Sequence, residues 1–249
     1  MPQPHPTAIV SHRGGAFLWP ENSLAAFRHS LDLPVEQCEC DVHLSADGVP
    51  VVLHDATLER TTEGRGPLAA RDAAALSALR LRGAAGERVP LLSEVASLFR
   101  GRAQQLQVEL KTAPGAMAEP ALVPRTLAVL DEAGIRAQCR VIAFDAPLVA
   151  EAAAAGGLAG TIWLFDAALL RRIGTAGVIG VARAHGFDMV ETEIGTLDAP
   201  LVEALRGAGL RIGVWGANHA ECIHKALAFG VEAMATDDPV LALRLRGTG

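Results

Sequence analysis

Short runs of β-branched and other apolar residues alternate with longer Ala- and Leu-rich segments along most of the chain. Such runs are typical of buried strands, and the longer segments between them are typical of helices. Eight β/α units in 249 residues have the size of a (β/α)8 barrel. The pattern therefore predicts an α/β protein that folds as a single TIM barrel over residues 1–249. The eight predicted strands cover residues 8–11, 37–42, 106–110, 141–144, 161–165, 189–192, 211–215 and 233–236.

Several polar residues mark the predicted starts of helices. Asp145 and Asp198 are each followed two residues later by Pro, an arrangement typical of an N-cap and a first helical turn. Asn22 is expected to cap the helix after the first strand, and Asn218 with Glu221 resembles a capping box. These signals fall between predicted strands, in agreement with the alternation of a barrel.

One apolar run breaks this alternation. Residues 51–54 follow the second strand after only a short polar link, whereas parallel neighbours need a crossover of about a dozen residues. The link contains Asp47-Gly48, which is a strong hairpin signal. We therefore expect residues 51–54 to form the return arm of a β-hairpin, with His54 folded back beside Asp41.

A long excursion follows the hairpin and covers about residues 57–90. Residues 71–81 within it have a helical pattern. Because excursions of this length in compact domains usually have a function, we expect this insertion to cover a site.

The charge balance restricts the possible partners. The formal net charge is -6 and the isoelectric point is about 5.7. Nucleic acids and anionic membranes favour basic surfaces, so neither is an expected partner. Residues 1–7 lack the apolar core of a signal peptide, and the longest uncharged stretch, residues 152–165, is too short to span a bilayer. We expect a cytoplasmic protein without a stable membrane anchor.

The cysteines show no C-x-x-C spacing that would indicate zinc or redox chemistry. Cys38 and Cys40 flank Glu39 in a predicted strand, so they point to the face opposite this carboxylate. We expect both to be buried free thiols.

Three carboxylates are expected to meet at the carboxyl end of the barrel. Glu39 and Asp41 are two residues apart on a strand and therefore share a face, while Glu109 ends the next barrel strand. Active sites of TIM barrels lie at this end. A cluster of carboxylates needs a compensating cation, and oxygen ligands favour hard cations. The sequence thus predicts a site for one divalent cation, Mg²⁺ or Ca²⁺, with Mn²⁺ as a further candidate.

Two histidines and two cations fall at the same predicted end. His12 ends the first strand and His54 ends the hairpin arm, so they are candidates for a general acid and a general base. Arg13 and Lys111 place positive charge beside the carboxylates, as a site that binds phosphate requires. Each of these residues alone is common in a structural role, but their joint placement at one end of the barrel favours catalysis.

These motifs resemble the glycerophosphodiester phosphodiesterase family over nearly the whole chain. The resemblance is carried by His12-Arg13-Gly14, Pro20-Glu21-Asn22-Ser23, Glu39-Cys40-Asp41-Val42, Val51-Val52-Leu53-His54-Asp55, Leu58-Glu59-Arg60-Thr61-Thr62, Pro90-Leu91-Leu92-Ser93-Glu94-Val95, Val108-Glu109-Leu110-Lys111, Val214-Trp215 with Asn218, and Ala235-Thr236-Asp237-Asp238-Pro239. The motifs of the first sixty or so residues are the most specific.

The resemblance implies residue roles and a reaction. Glu39, Asp41 and Glu109 would bind the metal, and His12 and His54 would be the acid–base pair. It implies that Arg13 and Lys111 contact the phosphate and that Trp215 lines the pocket. The implied reaction is attack of the glycerol 2-hydroxyl on phosphorus, followed by hydrolysis of the cyclic phosphate. The implied products are glycerol 3-phosphate and an alcohol.

Some positions near the site have supporting roles or depart from the family pattern. Glu21 and Asn22 match it, and Glu21 is expected to hold Arg13 rather than to bind metal. Ser23 stands where Thr is more usual, at a helix start. Gly216-Ala217 replaces a bulkier pair after Trp215, which is expected to widen the pocket near the leaving group.

Two other functions remain open at this point. The same barrel in a phosphodiesterase of the lysophospholipase D type would act on lysophospholipids, and the apolar loop Phe17-Leu18-Trp19 would then contact an acyl chain instead of serving as a lid. A barrel without catalysis would bind a phosphate ligand as a sensor, although all seven expected metal, histidine and phosphate positions are present. The identity of the alcohol, the physiological cation and the oligomeric state stay open.

Overall fold

The computed structural model describes residues 7–84, 86–112, 115 and 117–247. Eight parallel strands close into a barrel, with pairs formed in the order β1-β9-β8-β7-β6-β5-β4-β2 and ring closure between β1 and β2. A ninth strand, β3, pairs with β2 in the antiparallel direction outside the ring. The strands are β1 (Ala8–Ser11), β2 (Gln37–Leu44), β3 (Pro50–Val52), β4 (Gln105–Leu110), β5 (Cys139–Ala143), β6 (Gly160–Phe165), β7 (Met189–Glu193), β8 (Arg211–Trp215) and β9 (Ala233–Thr236).

The α-helices pack around this ring. In the described part of the chain they are α1 (Leu24–Leu31), α2 (Ala73–Ala78), α3 (Leu92–Leu98), α4 (Leu122–Ala133), α5 (Ala146–Ala155), α6 (Ala167–His185), α7 (Ala199–Gly207), α8 (Ala220–Phe229) and α9 (Pro239–Arg246). The predicted TIM barrel is thus confirmed, and each of the eight predicted barrel strands is present with shifts of at most two residues at its ends. None of the helices in these residues is long and apolar enough to cross a membrane.

The main core lies between the outer face of the sheet and the helices. Alternate strand residues enter this layer, among them Cys38 and Cys40, which are fully buried free thiols as predicted. A smaller apolar cluster fills the inside of the barrel, where Val10, Ile142 and Ile162 belong to different strands. Because Glu39 and Asp41 alternate with the two cysteines, β2 directs both carboxylates toward the barrel interior.

Two of the predicted helix caps are confirmed and two are wrong. The side chains of Asp145 and Asp198 accept hydrogen bonds from the third helical residue of α5 and α7. Helix α1 is instead capped by Ser23, one residue after Asn22, and the N-cap of α8 is His219, one residue after Asn218. Both asparagines make tertiary hydrogen bonds to acidic side chains, which replace the local caps predicted for them.

The hairpin is present with a shorter return arm than predicted. Strand β3 ends at Val52, and Val42 pairs with Val52. Leu53 continues this register, since its backbone N–H donates to the Asp41 carbonyl at 3.1 Å. The residue opposite Asp41 is therefore Leu53 and not His54, which lies one position further along the chain. His54 still contacts β2, because His43 Nε2 lies 3.0 Å from the His54 carbonyl oxygen.

The insertion after the hairpin has a small core of its own. Val51 and Leu53 from the hairpin pack with Leu58, Leu68 and Leu76 of the insertion. The predicted helix over residues 71–81 is shorter than expected and covers only Ala73–Ala78. Its start is fixed by the Asp72 side chain, which accepts from the Ala75 N–H. The insertion is thereby anchored to the hairpin that carries His54.

Candidate active site

The loop after β1 has an unusual backbone that brings it against β2. Arg13 and Asn22 have positive φ angles of 52° and 56°, which are uncommon for non-glycine residues. A Cβ at Gly14 would lie 2.8 Å from the Ala26 Cβ, so only glycine permits this approach to α1. In this conformation the Arg13 backbone N–H donates to Glu39 Oε2 at 3.0 Å. The strained loop thus delivers a backbone donor and the Arg13 side chain to the carboxyl end of the barrel.

Glu39, Asp41 and Glu109 form the predicted carboxylate cluster. One oxygen of each lies within 4.8 Å of the others, and all three residues are buried. The pairing of Asp41 with Glu109 in the parallel register of β2 and β4 places them side by side. Glu39 Oε1 is buried and has no hydrogen-bond partner among the described residues. A buried carboxylate oxygen without a partner, inside a cluster of like charges, fits the ligand set of a hard divalent cation.

The surroundings shift the pKa values of two of these carboxylates in opposite directions. Burial, together with the charges of Asp41 and Glu109, raises the pKa of Glu39 well above its ordinary value. Burial also opposes ionisation of Asp41, but the charges of Lys111 and Arg13 outweigh it and hold the pKa of Asp41 below its ordinary value. Arg13 therefore compensates the charge of Glu39 only in part, and Glu39 would gain most from a bound cation.

Asp41 has three polar neighbours. Lys111 Nζ lies 3.3 Å from Asp41 Oδ1 and donates to Glu109 Oε1 at 2.7 Å. Arg13 Nε lies 3.3 Å from Asp41 Oδ2, and the Asn22 side-chain amide donates to the same oxygen at 2.8 Å. Although burial opposes it, the nearby carboxylates raise the pKa of Lys111, so this amine is cationic at neutral pH. The site therefore holds two fixed positive charges beside the three carboxylates.

Each of the two predicted histidines is paired with an aspartate. His12 Nδ1 lies 2.6 Å from Asp237 Oδ1, and His54 Nδ1 lies 2.7 Å from Asp55 Oδ1. An aspartate at Nδ1 favours the tautomer that carries the proton there and leaves Nε2 free. His12 Nε2 is directed to the cluster, at 3.8 Å from Glu39 Oε2. In both histidines the aspartate contacts Nδ1 and leaves Nε2 available for another partner.

Asp237, the partner of His12, is itself held in place by Asn218 in the loop after β8. Asp237 follows β9, and its Oδ2 accepts from the Asn218 side-chain amide at 2.6 Å. In return, Asn218 Oδ1 accepts from the Asp237 backbone N–H at 2.8 Å. Although burial opposes it, the hydrogen bond from His12 lowers the pKa of Asp237, so this carboxylate is ionised at neutral pH.

An arginine from the insertion connects the hairpin to the first loop. Arg60 donates from Nε to Asp55 Oδ2 at 2.6 Å and from Nη1 to Glu21 Oε2 at 2.7 Å. Glu21 Oε1 in turn accepts from Arg13 Nη1 at 3.2 Å. The insertion therefore reaches the site as predicted, and Glu21 contacts Arg13 as expected. A chain of charge-assisted hydrogen bonds and ion pairs links Asp55 to Asp41 through Arg60, Glu21 and Arg13.

A cavity of about 120 Å³ opens at this end of the barrel. Its walls include Phe144 and Trp215, whose rings meet edge to face with their centres 5.4 Å apart. The polar side also contains a residue not predicted from the sequence, Glu191 on β7. The other lining residues are His12, Arg13, Glu39, His54, Gln107, Glu109, Lys111, Ile142, Leu164 and Ala235. Three of the predicted site residues do not line the cavity themselves, namely Glu21, Asn22 and Asp41.

Sequence reasoning missed the roles of four acidic and basic partners. Asp55 and Asp237 lie in motifs that marked the resemblance, so a signal for them existed in the sequence. Arg60 also lies in such a motif, but its contacts join positions 39 residues apart. Glu191 stands two residues before Glu193 at the end of β7, the same spacing as Glu39 and Asp41, so the sequence carried a signal for this strand end that was missed.

This chain is similar to a known protein family and to several proteins of the same fold. The model of the glycerophosphoryl diester phosphodiesterase family matches residues 12–241. A protein of Caldanaerobacter subterraneus subsp. tengcongensis named glycerophosphodiester phosphodiesterase is 26% identical over 247 residues, which cover 96% of this chain and 97% of the relative. A crystal structure from Agrobacterium tumefaciens str. C58, assigned to the glycerophosphoryl diester phosphodiesterases, has a TM-score of 0.94 and 30% identity over 98% of both chains.

A second Agrobacterium tumefaciens str. C58 structure, of a glycerophosphodiester phosphodiesterase, has a TM-score of 0.78 and 25% identity, and the match covers 96% of this chain and 99% of that one. The family match begins at His12 and extends past Asp237, so it includes every residue that lines the site described above. The chain therefore belongs to the glycerophosphoryl diester phosphodiesterase family.

Proposed function

We propose that this protein hydrolyses glycerophosphodiesters to glycerol 3-phosphate and an alcohol, with a divalent cation and two histidines. The observation that carries the proposal is the shared cavity, whose walls bring together His12, His54, Glu39, Glu109 and Lys111. A cation site, two free imidazole nitrogens and a fixed ammonium are the groups that phosphodiester cleavage needs. Membership of the family supports the same reaction.

Glu39, Asp41 and Glu109 would hold the cation, for which Mg²⁺ or Ca²⁺ is the proposed species and Mn²⁺ a further candidate. All three offer carboxylate oxygens, and hard divalent cations prefer such ligands. When bound, the cation would act as a Lewis acid toward a phosphoryl oxygen. The free oxygen of Glu39 and its raised pKa support this assignment.

The two histidines would move protons at their Nε2 atoms. In the first step one imidazole takes the proton of the glycerol 2-hydroxyl while this oxygen attacks phosphorus, and the other donates a proton to the departing alkoxide. In the second step a water molecule opens the cyclic phosphate and the proton transfers run in reverse. Asp237 and Asp55 would hold His12 and His54 in the tautomer that leaves Nε2 free.

The cations and the aromatic wall would position the substrate. Lys111 and Arg13 flank the carboxylates and would contact the phosphate, whose negative charge is increased in the transition state. Trp215 would face the glycerol or the leaving group across the cavity. The substrate is proposed to be a small molecule that binds within this one barrel, and no nucleic acid is proposed as a partner.

The apolar loop after β1 is the part of the structure that could contact the acyl chain of a lysophospholipid. Phe17 is 55% exposed and Leu18 is 40% exposed, so both are available at the surface. Trp19, in contrast, stacks on His29 with ring centres 4.9 Å apart, which fastens the loop to α1. The fastened Trp19 favours a fixed wall over an adaptable acyl-chain site.

The proposed function is tested by measuring hydrolysis of a substrate panel with each cation. Glycerophosphocholine, glycerophosphoethanolamine and lysophosphatidylcholine should be assayed with Mg²⁺, Ca²⁺ or Mn²⁺ and with EDTA. We expect release of glycerol 3-phosphate from the first two substrates, and no activity in EDTA. Faster cleavage of the lysolipid would favour the lysophospholipase D reaction, and full activity in EDTA would contradict the metal site.

Replacement of Asp237 by asparagine is expected to lower kcat by about 10²–10⁴-fold. Asn would donate to His12 Nδ1 through its amide and so favour the tautomer with the proton on Nε2, which is the wrong one for a base. The KM should change little because Asp237 holds His12 and is not proposed to contact the substrate. Steady-state kinetics of Asp237→Asn would measure this separation of kcat from KM.

Asp198→Asn is the matched control for this prediction. Asp198 is an exposed N-cap of α7, and Asn caps helices as well as Asp does. This variant should therefore keep its kcat within about twofold of the unmodified protein. Equal activity of Asp237→Asn and Asp198→Asn would show that the pairing of Asp237 with His12 does not matter for catalysis.

A further inference from the structure

Glu191 is a buried acid that the proposed mechanism does not use. It lies on β7 and is 3% exposed, yet it lines the same cavity as the metal ligands and the histidines. Its Oε2 is buried and has no hydrogen-bond partner among the described residues. An unpaired buried polar atom is costly, so a group that is retained in this state calls for a partner that the protein alone does not supply.

The surroundings of Glu191 favour its neutral form. Burial, and secondly the negative charge of Glu109, raise the pKa of Glu191 to about 8. A protonated carboxyl has one O–H donor and keeps acceptor oxygens. Such a group can both donate to and accept from one hydroxyl, whereas a carboxylate only accepts. In either protonation state, the Glu191 carboxyl can form a hydrogen bond with a hydroxyl of a bound ligand.

A second buried polar atom without a partner belongs to Gln107, another residue that lines the same cavity. Gln107 on β4 is fully buried, and its amide Nε2 donates to Gln37 Oε1 at 2.6 Å. Its Oε1 has no hydrogen-bond partner among the residues that the structure describes. One water molecule needs a cavity of roughly 10–15 Å³. A cavity of about 120 Å³ therefore has room for a ligand of several heavy atoms beside these two side chains.

The strand next to β7 makes space for Glu191. Gly213 on β8 pairs directly with Glu191. A Cβ at position 213 would lie 2.8 Å from Glu191 Oε2 and 3.1 Å from its Cγ, so a larger residue would require the Glu191 side chain to shift. The φ angle of Gly213 is not in the left-handed region, so the backbone does not require glycine here. Its role is to leave room for the acid.

We infer that Glu191, with Gln107, binds the free 1-hydroxyl of the glycerol moiety and so restricts the enzyme to deacylated phosphodiesters. This inference rests on the proposed function, because the hydroxyl concerned is the one left over when the 2-hydroxyl attacks phosphorus. In a 1-acyl lysophospholipid the 1-hydroxyl is esterified and has no proton to donate to Gln107 Oε1. Gln107 Oε1 would then remain unpaired, and the lysolipid would be disfavoured.

A matched pair of substrates tests this assignment. Glycerophosphocholine has both hydroxyls, and 2-hydroxypropyl phosphocholine keeps the hydroxyl next to the phosphate ester but lacks the outer one. We expect the unmodified protein to cleave the second substrate with a kcat/KM at least about tenfold lower. Glu191→Leu should reduce this ratio to within about twofold of one, whereas Glu191→Gln, which keeps a neutral donor and acceptor, should retain most of it.

Gly213→Ala provides a second variant that removes no polar group. Because its Cβ displaces the Glu191 side chain, the ratio between the two substrates should fall as it does in Glu191→Leu. Protection against thermal unfolding provides a readout without turnover. In EDTA, glycerol 3-phosphate should protect the unmodified protein more than 2-hydroxypropyl phosphate does, and this difference should disappear in Glu191→Leu.

The outcomes separate this inference from the proposed function. If the unmodified protein cleaves neither substrate, the proposed function fails. If it cleaves both equally well, or if Glu191→Leu slows both by the same factor, the function stands and the hydroxyl site is overturned. Retention of the full ratio in both Glu191→Leu and Gly213→Ala would also overturn it.

Discussion

Replacement of His54 by alanine is expected to lower kcat for glycerophosphocholine hydrolysis by about 10²–10⁴-fold, the usual contribution of a general acid or base. His54 lines the cavity, and Asp55 at Nδ1 leaves its Nε2 free for proton transfer. The His54 side chain is about one-third exposed, so its loss should leave the melting temperature nearly unchanged. Stopped assays with a saturating cation would measure kcat, and a thermal melt would verify the fold.

Substrates with different leaving groups can show which histidine acts as the general acid. A nitrophenyl ester of glycerol 3-phosphate loses an anion that needs no proton, whereas glycerophosphocholine loses an alkoxide that does. Replacement of the histidine that donates this proton should therefore lower the activity on the nitrophenyl ester much less than the activity on glycerophosphocholine. Of His54→Ala and His12→Ala, one variant is therefore expected to recover most of its activity on this substrate. The other, which has lost the base for the 2-hydroxyl, should remain impaired on both substrates.

His224→Ala is the matched control for both histidine variants. His224 lies on the exposed face of α8, outside the cavity, and its substitution should leave kcat within about twofold of the unmodified protein. Activity of His54→Ala equal to that of His224→Ala would remove His54 from the mechanism. Equal impairment of His12→Ala and His54→Ala on both substrates would contradict the division into one acid and one base.

Much of the barrel and the centre of the site follow from local sequence pattern. A strand has a period of two residues, so Glu39 and Asp41 had to share a face once β2 was recognised. Parallel strands end at the same edge of the sheet, and this placed Glu109 beside Asp41 without knowledge of the register. The Asp47-Gly48 turn similarly brought His54 back to β2. Each of these inferences needed only the identities of nearby residues in the sequence or a general rule of the barrel fold.

The supporting contacts did not follow from local pattern. Asn22 and Asn218 have the side chain of a good helix cap, but each bonds an aspartate 19 residues away in the sequence. A local cap and a tertiary hydrogen bond satisfy the same amide, and only the folded structure shows which of them forms. Glu191 has the same two-residue spacing to Glu193 that Glu39 has to Asp41, but its burial without a hydrogen-bond partner is visible only in the folded structure.

Substitution of Glu39 by glutamine is expected to have opposite effects on activity and on metal-free stability. The amide keeps the shape of the side chain and an acceptor for the Arg13 N–H, but it removes one of three clustered charges. Loss of a cation worth several kcal/mol to the transition state should lower kcat by about 10³-fold or more. In EDTA, however, the melting temperature should rise above that of the unmodified protein, because a buried and uncompensated carboxylate has been neutralised.

The response to metal should distinguish this effect from simple damage to the fold. A cation at one hundred times its Kd stabilises the folded state by about 2.7 kcal/mol, which for a chain of this size raises Tm by roughly 5–10 °C. We expect such a rise with Mg²⁺ or Ca²⁺ in the unmodified protein and in Asp188→Asn, which removes an exposed negative charge far from the cluster. Glu39→Gln should show little or no rise. A metal-free Tm below that of the unmodified protein, together with a full rise on addition of metal, would mean that Glu39 is a structural residue and that the cation binds elsewhere.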